Sequence, residues 1–232
     1  MKEILRPILE SEGVRLDERT YDTLERSYLL LLEWNEKINL TAITSPEEVA
    51  IKHYADSLIP LAYFKGKVCD VGAGAGFPSL PLAVANPELD VTMIDSVRKK
   101  TDYLCLAAQT LGLTNARAVH VRAEDYARGV GRESFDRVTA RAVASLVTLA
   151  EYLLPLCKVG GKALIYKSGE VDEELEQAKY ALSLLGGKVE KVERYAFSGV
   201  SRTLVIVEKV KPTPAKYPRS GNKPRLQPLI KE

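Results

Sequence analysis

From Lys67 onward, short apolar runs alternate with stretches whose apolar positions recur every three or four residues, the pattern of buried parallel strands joined by helices. Strands are predicted near 67–71, 90–94, 117–121, 135–140 and 162–167, and helices near 78–85, 97–112, 145–157 and 172–185. Ser168-Gly169 precedes the last helix and Gly186-Gly187 follows it. There the alternation stops. Two strands near 188–196 and 202–209 are separated only by Phe197-Ser198-Gly199-Val200-Ser201, too short for a helical crossover, so they pair antiparallel. The expected core is an α/β layered domain whose mostly parallel sheet ends in an antiparallel hairpin.

Before Lys67 the period is helical throughout. Leu24, Tyr28, Leu31 and Leu32 share one face with charges between them, which predicts a small helical cap. Ser45-Pro46-Glu47-Glu48 opens a further helix, with a Ser cap, Pro at the first helical position and early acids. Lys52 and His53 lie on it, and His53 either faces a pocket or is a hydrogen-bonded residue at the junction of cap and sheet. Trp34 reads as core packing in preference to a base-stacking platform. The expected organisation is a helical cap over 1–64, the α/β domain over 65–209 and a distinct tail over 210–232.

Composition adds bounds. A chain of 232 residues with 46% apolar content can bury a substantial core. The longest pure leucine run is Leu29 to Leu32, and Met1-Lys2-Glu3-Ile4-Leu5-Arg6-Pro7 does not read as a signal peptide, so a cytoplasmic protein without a membrane span is expected. Cys69, Cys105 and Cys157 have no C-x-x-C spacing and read as reduced core thiols. Two histidines, His53 and His120, suggest no metal site.

Charge changes the picture of the C-terminus. The net charge is only +2, but Lys209, Lys211, Lys216, Arg219, Lys223, Arg225 and Lys231 fall in a stretch with no acid, which leaves the rest of the chain at −5. Pro212, Pro214, Pro218, Pro224 and Pro228 oppose a continuous helix there. An extended, partly disordered strip of cations is expected, with Lys209, Lys211, Lys216, Arg219, Lys223 and Arg225 on a phosphate backbone and Tyr217 as a stacking group; a solubilising tail is the alternative.

The strongest chemical signal is Val68-Cys69-Asp70-Val71-Gly72-Ala73-Gly74-Ala75-Gly76-Phe77-Pro78, a strand that breaks into a loop with glycines at alternate positions. Glycine there admits positive φ and close approach of backbone N–H groups to a ligand, so Gly72, Gly74 and Gly76 are candidate cofactor contacts. The dinucleotide pattern G-x-G-x-x-G would place its third glycine where Phe77 stands, and Asp70 would repel a pyrophosphate while suiting an ammonium. S-adenosylmethionine, with an amino acid end and no phosphate, fits these residues better than NAD, and the pattern resembles motif I of the class I methyltransferases. Roughly 20 residues after the loop, as in doubly wound sheets generally, Asp95 ends the second strand where a ribose needs a bidentate acceptor; capping the next helix is its alternative role, and Ser96 is the better cap. The third strand ends just before Ala123 and Glu124, which either lie against an adenine or merely start a helix.

The fourth strand ends in Thr139-Ala140-Arg141-Ala142-Val143-Ala144-Ser145, with neither the N/D-P-P-Y/F signature for exocyclic nitrogens nor a Pro-Cys nucleophile. Chemistry that needs neither is implied. Guanine N7 qualifies, because its in-plane lone pair needs no deprotonation and catalysis is then positioning and electrostatics. Arg141 suits a guanine edge, a phosphate or the cofactor carboxylate.

Trp34-Asn35-Glu36-Lys37-Ile38-Asn39-Leu40-Thr41-Ala42-Ile43, His53-Tyr54-Ala55-Asp56-Ser57-Leu58, Asp70 to Pro78, Arg122-Ala123-Glu124, Thr139 to Ser145 and Thr213-Pro214-Ala215-Lys216-Tyr217-Pro218-Arg219 together resemble the bacterial RsmG (GidB) family over almost the entire chain. The resemblance implies a class I fold, S-adenosylmethionine as cofactor and N7-methylation of guanine in the 530 loop of 16S ribosomal RNA, whose loss is associated with low-level streptomycin resistance. It further implies cofactor contacts at Gly72, Phe77, the Asp95-Ser96-Val97 turn, Ala123, Glu124 and Arg141, with Arg202 as a second site arginine. Ala73 and Ser79 stand where many members carry Ser and Gly. The alternatives are a class I methyltransferase acting on another RNA, a protein or a metabolite, a noncatalytic RNA-binding relative, and a nucleotide-binding oxidoreductase.

Overall fold

A computed structural model describes residues 1–141 and 144–231. Ala142 and Val143 of the stretch after the fourth strand, and Glu232, lie outside the described residues. The chain order is α1 (Lys2–Ser11), α2 (Glu18–Asn35), α3 (Pro46–Val49), a π-helical turn (Ala50–Ala55), α4 (Asp56–Leu58), a 3-10 turn (Ile59–Tyr63), β1 (Lys67–Val71), α5 (Ser79–Ala85), β2 (Asp90–Asp95), α6 (Arg98–Thr110), β3 (Ala116–His120), α7 (Ala123–Arg128), β4 (Phe135–Arg141), α8 (Leu146–Leu153), β5 (Cys157–Ser168), α9 (Asp172–Leu185), β6 (Gly187–Phe197), β7 (Val200–Lys209) and α10 (Lys223–Leu226).

The seven strands form one sheet in the order β3-β2-β1-β4-β5-β7-β6. β1 pairs in parallel with β2 and β4, and β7 lies antiparallel between β5 and β6, as expected from the short connection at 197–201. The strand order reverses at β1, where a doubly wound sheet opens a crevice at the carboxyl ends of its strands. Both faces are covered, and successive strand residues serve opposite cores: Val68, Leu164 and Leu204 pack with α1, α2, α5 and α6, whereas Cys69, Ile165 and Val205 pack with α8 and α9.

The N-terminal helices share the first of these cores, through Leu5, Leu24, Leu31 and Tyr54. Asp17 caps α2 by accepting from Thr20 N–H, and Ser45 caps α3 by accepting from Glu48 N–H. Trp34 packs 6.1 Å from the Tyr103 ring. Two boundaries differ from expectation for a backbone reason. Helix α8 ends at Leu153, because Pro155 disfavours helical conformation in the residue before it, and β5 starts at Cys157, joined to β4 through an irregular register at Phe135/Arg137. Cys69 and Cys157 are buried, but Cys105 is exposed on α6 and is not a core thiol.

The largest departure is the tail. It is folded onto α8 and its neighbours, not an extended cationic strip. Lys209 is fully buried, with Nζ donating to Leu154 O (2.5 Å), Thr213 Oγ1 (2.8 Å) and Glu133 Oε1 (3.1 Å). Tyr217 is buried in the second core. Arg219 donates to both oxygens of Glu151, Nε to Oε1 (2.9 Å) and Nη2 to Oε2 (2.7 Å), and Arg132 holds the Thr213 and Tyr217 carbonyls. Lys209 and Tyr217 are therefore not available to a phosphate backbone in this fold, and Arg219 is taken by a buried acid. Lys211, Lys216 and Lys223 are exposed as expected. Among the described residues no helix is long and apolar enough to cross a membrane.

Candidate functional site

Two cavities adjoin at Gly72, beside the carboxyl ends of β1, β2 and β4. The larger, about 540 Å³, is bounded by the loop residues Gly72, Gly74 and Phe77, by Lys52, His53 and Asp56 from the π-helical turn and α4, and by Arg141, Lys167 and Arg202 from the strand ends. The smaller, about 330 Å³, is bounded by Asp95, Ser96, Ala123 and Glu124, and by Tyr152, Asn222 and Arg225.

The loop geometry follows from its glycines. Gly72 and Gly74 have φ of 72° and 57°, and Gly74 N–H donates to Asp95 Oδ2 (3.0 Å). Asp95 Oδ1 accepts from Val97 N–H (2.8 Å), so one buried carboxylate ties the loop to the turn after β2 and retains lone pairs for a ligand. Ser96 contributes no side-chain cap to α6; it borders the smaller cavity instead.

Three expected cofactor contacts are placed elsewhere. Gly76 borders neither cavity: a Cβ there would collide with Leu80 and come within 3.1 Å of Leu104, so its missing side chain serves helix packing. Val97 is exposed outside both cavities. Asp70 is fully buried behind the loop, with Oδ2 accepting from Ser79 Oγ (2.5 Å) and Oδ1 without a partner among the described residues. Burial pushes its carboxyl up to about 7, against the opposing pull of the Ser79 hydroxyl and the Arg141 charge. The orphaned acceptor and the glycine-lined wall beside it suit a ligand with a cationic amino group better than one with phosphates.

The larger cavity is cationic, with Lys52, Lys100, Arg141, Lys167 and Arg202 set against Asp56 and Glu174. Asp56, almost fully buried, joins the two arginines: Oδ2 accepts from Arg141 Nη1 (3.1 Å) and Oδ1 from Arg202 Nε (2.9 Å). Arg141 also donates through Nη1 to Lys52 O (2.9 Å) and approaches His53 Nδ1 through Nη2 (3.2 Å). This network assigns the His53 tautomer, with Nδ1 accepting and Nε2–H donating to Thr41 Oγ1 (2.9 Å). Burial and the Arg141 charge lower the His53 pKa to about 4, which keeps the ring neutral. The ring stacks on Phe77 at 4.6 Å, and Arg141 lies 5.3 Å from the centre of the same Phe77 ring. His53 thus both borders the pocket and is hydrogen-bonded at the junction, so the two sequence readings hold together.

Of the expected site residues, Gly72, Gly74, Phe77, Asp95, Ser96, Ala123, Glu124, Arg141 and Arg202 border the cavities. Asp56, Tyr152 and Asn222 border them too but were not anticipated. Only the position of Asp56 within the His53 to Leu58 motif hinted at a role for it.

The chain matches the model of the GidB family, described as rRNA small subunit methyltransferase G, over residues 20–205. It is similar to Ribosomal RNA small subunit methyltransferase G from Streptococcus gordonii, at 48% identity over 96% of this chain and 97% of that one. The protein of the same name from Staphylococcus epidermidis is 44% identical over 96% of this chain and 95% of that one. A solved structure of a SAM-dependent methyltransferase from Aquifex aeolicus, 19% identical, aligns with a TM-score of 0.53 over 70% of this chain and 93% of its own, a likeness that shows the class I Rossmann-like fold. With sequence similarity spanning both the sheet and the helical cap that seats Arg141, the chain belongs to the GidB family of rRNA small subunit methyltransferases.

Proposed function

We propose that this S-adenosylmethionine-dependent enzyme methylates guanine N7 in the 530 loop of 16S ribosomal RNA. The observation that carries the reading is the pair of cavities meeting at Gly72, one with acids suited to a nucleoside and one with cations suited to a nucleotide. Asp95 and Ser96 would hold the ribose, Ala123 and Glu124 the adenine, and Gly72 and Gly74 the amino acid end, with Asp70 behind them. When bound, S-adenosylmethionine supplies a methyl group activated by its sulfonium, and transfer turns the sulfonium into a neutral thioether.

The protein's own contribution is positional. Both ring nitrogens of His53 are engaged, by Arg141 and Thr41, so the residue is not free to act as a base. Guanine N7 needs none. Arg141 and Arg202 would donate to O6 or to a phosphate, Phe77 and His53 would give the base an aromatic wall, and Lys52, Lys100 and Lys167 would meet the backbone. The substrate is then 16S RNA or a 30S particle, in the cytoplasm. The reading treats 1–64 as the cap that seats the arginines, 65–209 as the methyltransferase domain and 210–232 as a third unit.

Methyl transfer from labelled S-adenosylmethionine to 16S RNA or 30S particles lacking the modification, followed by nuclease digestion and nucleoside analysis, tests this. Label in N7-methylguanosine from the 530 loop is expected. Label in another nucleoside, or in another loop, overturns the substrate.

A further inference from the structure

We infer that the C-terminal segment completes the nucleoside end of the cofactor site, with Asn222 and Arg225 as ligand-binding residues. The inference rests on the reading of the smaller cavity as the adenosine site.

The segment is held in place at several points along its length. Arg219 grips Glu151 of α8 by a two-pronged contact, and Arg219 N–H donates to the same carboxylate (2.7 Å), which is 1% exposed. Upstream, Arg132 donates to Thr213 O (2.7 Å) and Tyr217 O (2.9 Å), and downstream Thr148 Oγ1 donates to Pro224 O (3.3 Å). Between these anchors the chain turns at 220–222 and starts α10, which brings Asn222 and Arg225 to the wall of the cavity that Asp95, Ser96, Ala123 and Glu124 border from the other side.

A second link joins the segment to the expected adenine contacts themselves. Arg122 donates through Nε to Glu124 Oε1 (2.6 Å) and through Nη2 to Asn222 Oδ1 (2.7 Å). Glu124 is 2% exposed, so Arg122 is a bridge from the buried acid of the site to the segment that covers it. With Oδ1 engaged, the Asn222 amide presents its Nδ2 donors, and the Arg225 guanidinium has no hydrogen bond or ion pair among the described residues. Adenine offers ring nitrogens as acceptors and a flat face, the two features that amide and guanidinium groups recognise. Arg225, expected from charge alone to contact RNA, is placed by the fold on the cofactor side.

The test is calorimetric binding of S-adenosylhomocysteine and of 5′-methylthioadenosine, which lacks the amino acid end, to the full-length protein, to Asn222→Ala/Arg225→Ala and to Asp95→Asn. Both substituted residues are exposed, so the double variant should melt as the parent protein does. It is expected to bind both ligands about tenfold more weakly, the loss of two modest hydrogen bonds, with cofactor-free 16S RNA affinity unchanged. Unchanged affinity for both ligands overturns the inference, provided Asp95→Asn loses them; if Asp95→Asn also binds both normally, the adenosine reading of the cavity itself has failed. A loss confined to S-adenosylhomocysteine would put the segment at the wrong end of the cofactor, and a loss confined to RNA would return Arg225 to the nucleic acid; either result overturns the proposal.

Discussion

Replacing Asp56 by alanine leaves two guanidinium groups without their shared counterion. The Asp56 side chain is 4% exposed and those of Arg141 and Arg202 are 16% and 17% exposed, at 3.1 and 2.9 Å. At an effective dielectric constant of about 20, each contact is worth roughly 5 kcal/mol before desolvation is subtracted. Breaking buried pairs by removing one partner costs about 3–5 kcal/mol, and the partial exposure of the arginines places this site near the lower end, at about 3 kcal/mol. For a chain of this size that is a fall of about 6–12 °C in Tm, read by scanning calorimetry. Salt should restore little of it, since the carboxylate is shielded from ions. Methyl transfer should fall about 100-fold, because Arg141 loses one of the acceptors that fix its guanidinium over the pocket. Removing Arg202 as well should recover part of the stability, since less charge is left uncompensated. A Tm within 2 °C of the parent protein, or strict additivity of Asp56→Ala and Arg202→Ala, would refute the reasoning.

His53 predicts a pH dependence. Its folded pKa of about 4 lies below the ordinary 6.5, so the unfolded chain takes up a proton that the folded chain refuses, and stability falls as pH drops from 6.5 towards 4 and levels off below. Between pH 7.5 and 4.5, denaturant titrations should show His53→Asn losing about 2–3 kcal/mol less than the parent, and parallel losses would contradict the assignment. Gly76→Ala forces a Cβ into Leu80 at φ 91° and should destabilise by about 1–3 kcal/mol. Gly74→Ala, where the nearest atom is 3.7 Å away, should cost about 1 kcal/mol or less and act mainly on S-adenosylhomocysteine affinity; equal melting shifts for the two would sink the distinction. Lys209→Met should destabilise the fold by about 2 kcal/mol without altering the salt slope of RNA binding, whereas Lys216→Gln should flatten that slope by about one unit if it meets a phosphate.

Local periodicity was enough to place the seven strands and the principal helices, because burial on a strand or helix face repeats every two or 3.6 residues whatever the chain later meets. The glycine loop and the acid ending β2 were legible for the same reason: positive φ and a carboxylate at a strand end are requirements of a single corner. Helix α7 was not, being a short run of mostly polar residues between two signals. Charge counts also misled at the tail. Composition records that a lysine or arginine is present, but the acids that claim Lys209 and Arg219, Glu133 and Glu151, are distant in sequence and meet them only after the sheet has closed. Asp56 likewise joins Arg141 and Arg202 across 85 and 146 positions. The sequence by itself thus determined the elements, the loop and the family. The tertiary structure alone decided which buried charges find each other, which glycine faces a ligand and which a leucine, and that the basic C-terminus lies against the smaller cavity, because those outcomes depend on distances through space that no local pattern encodes.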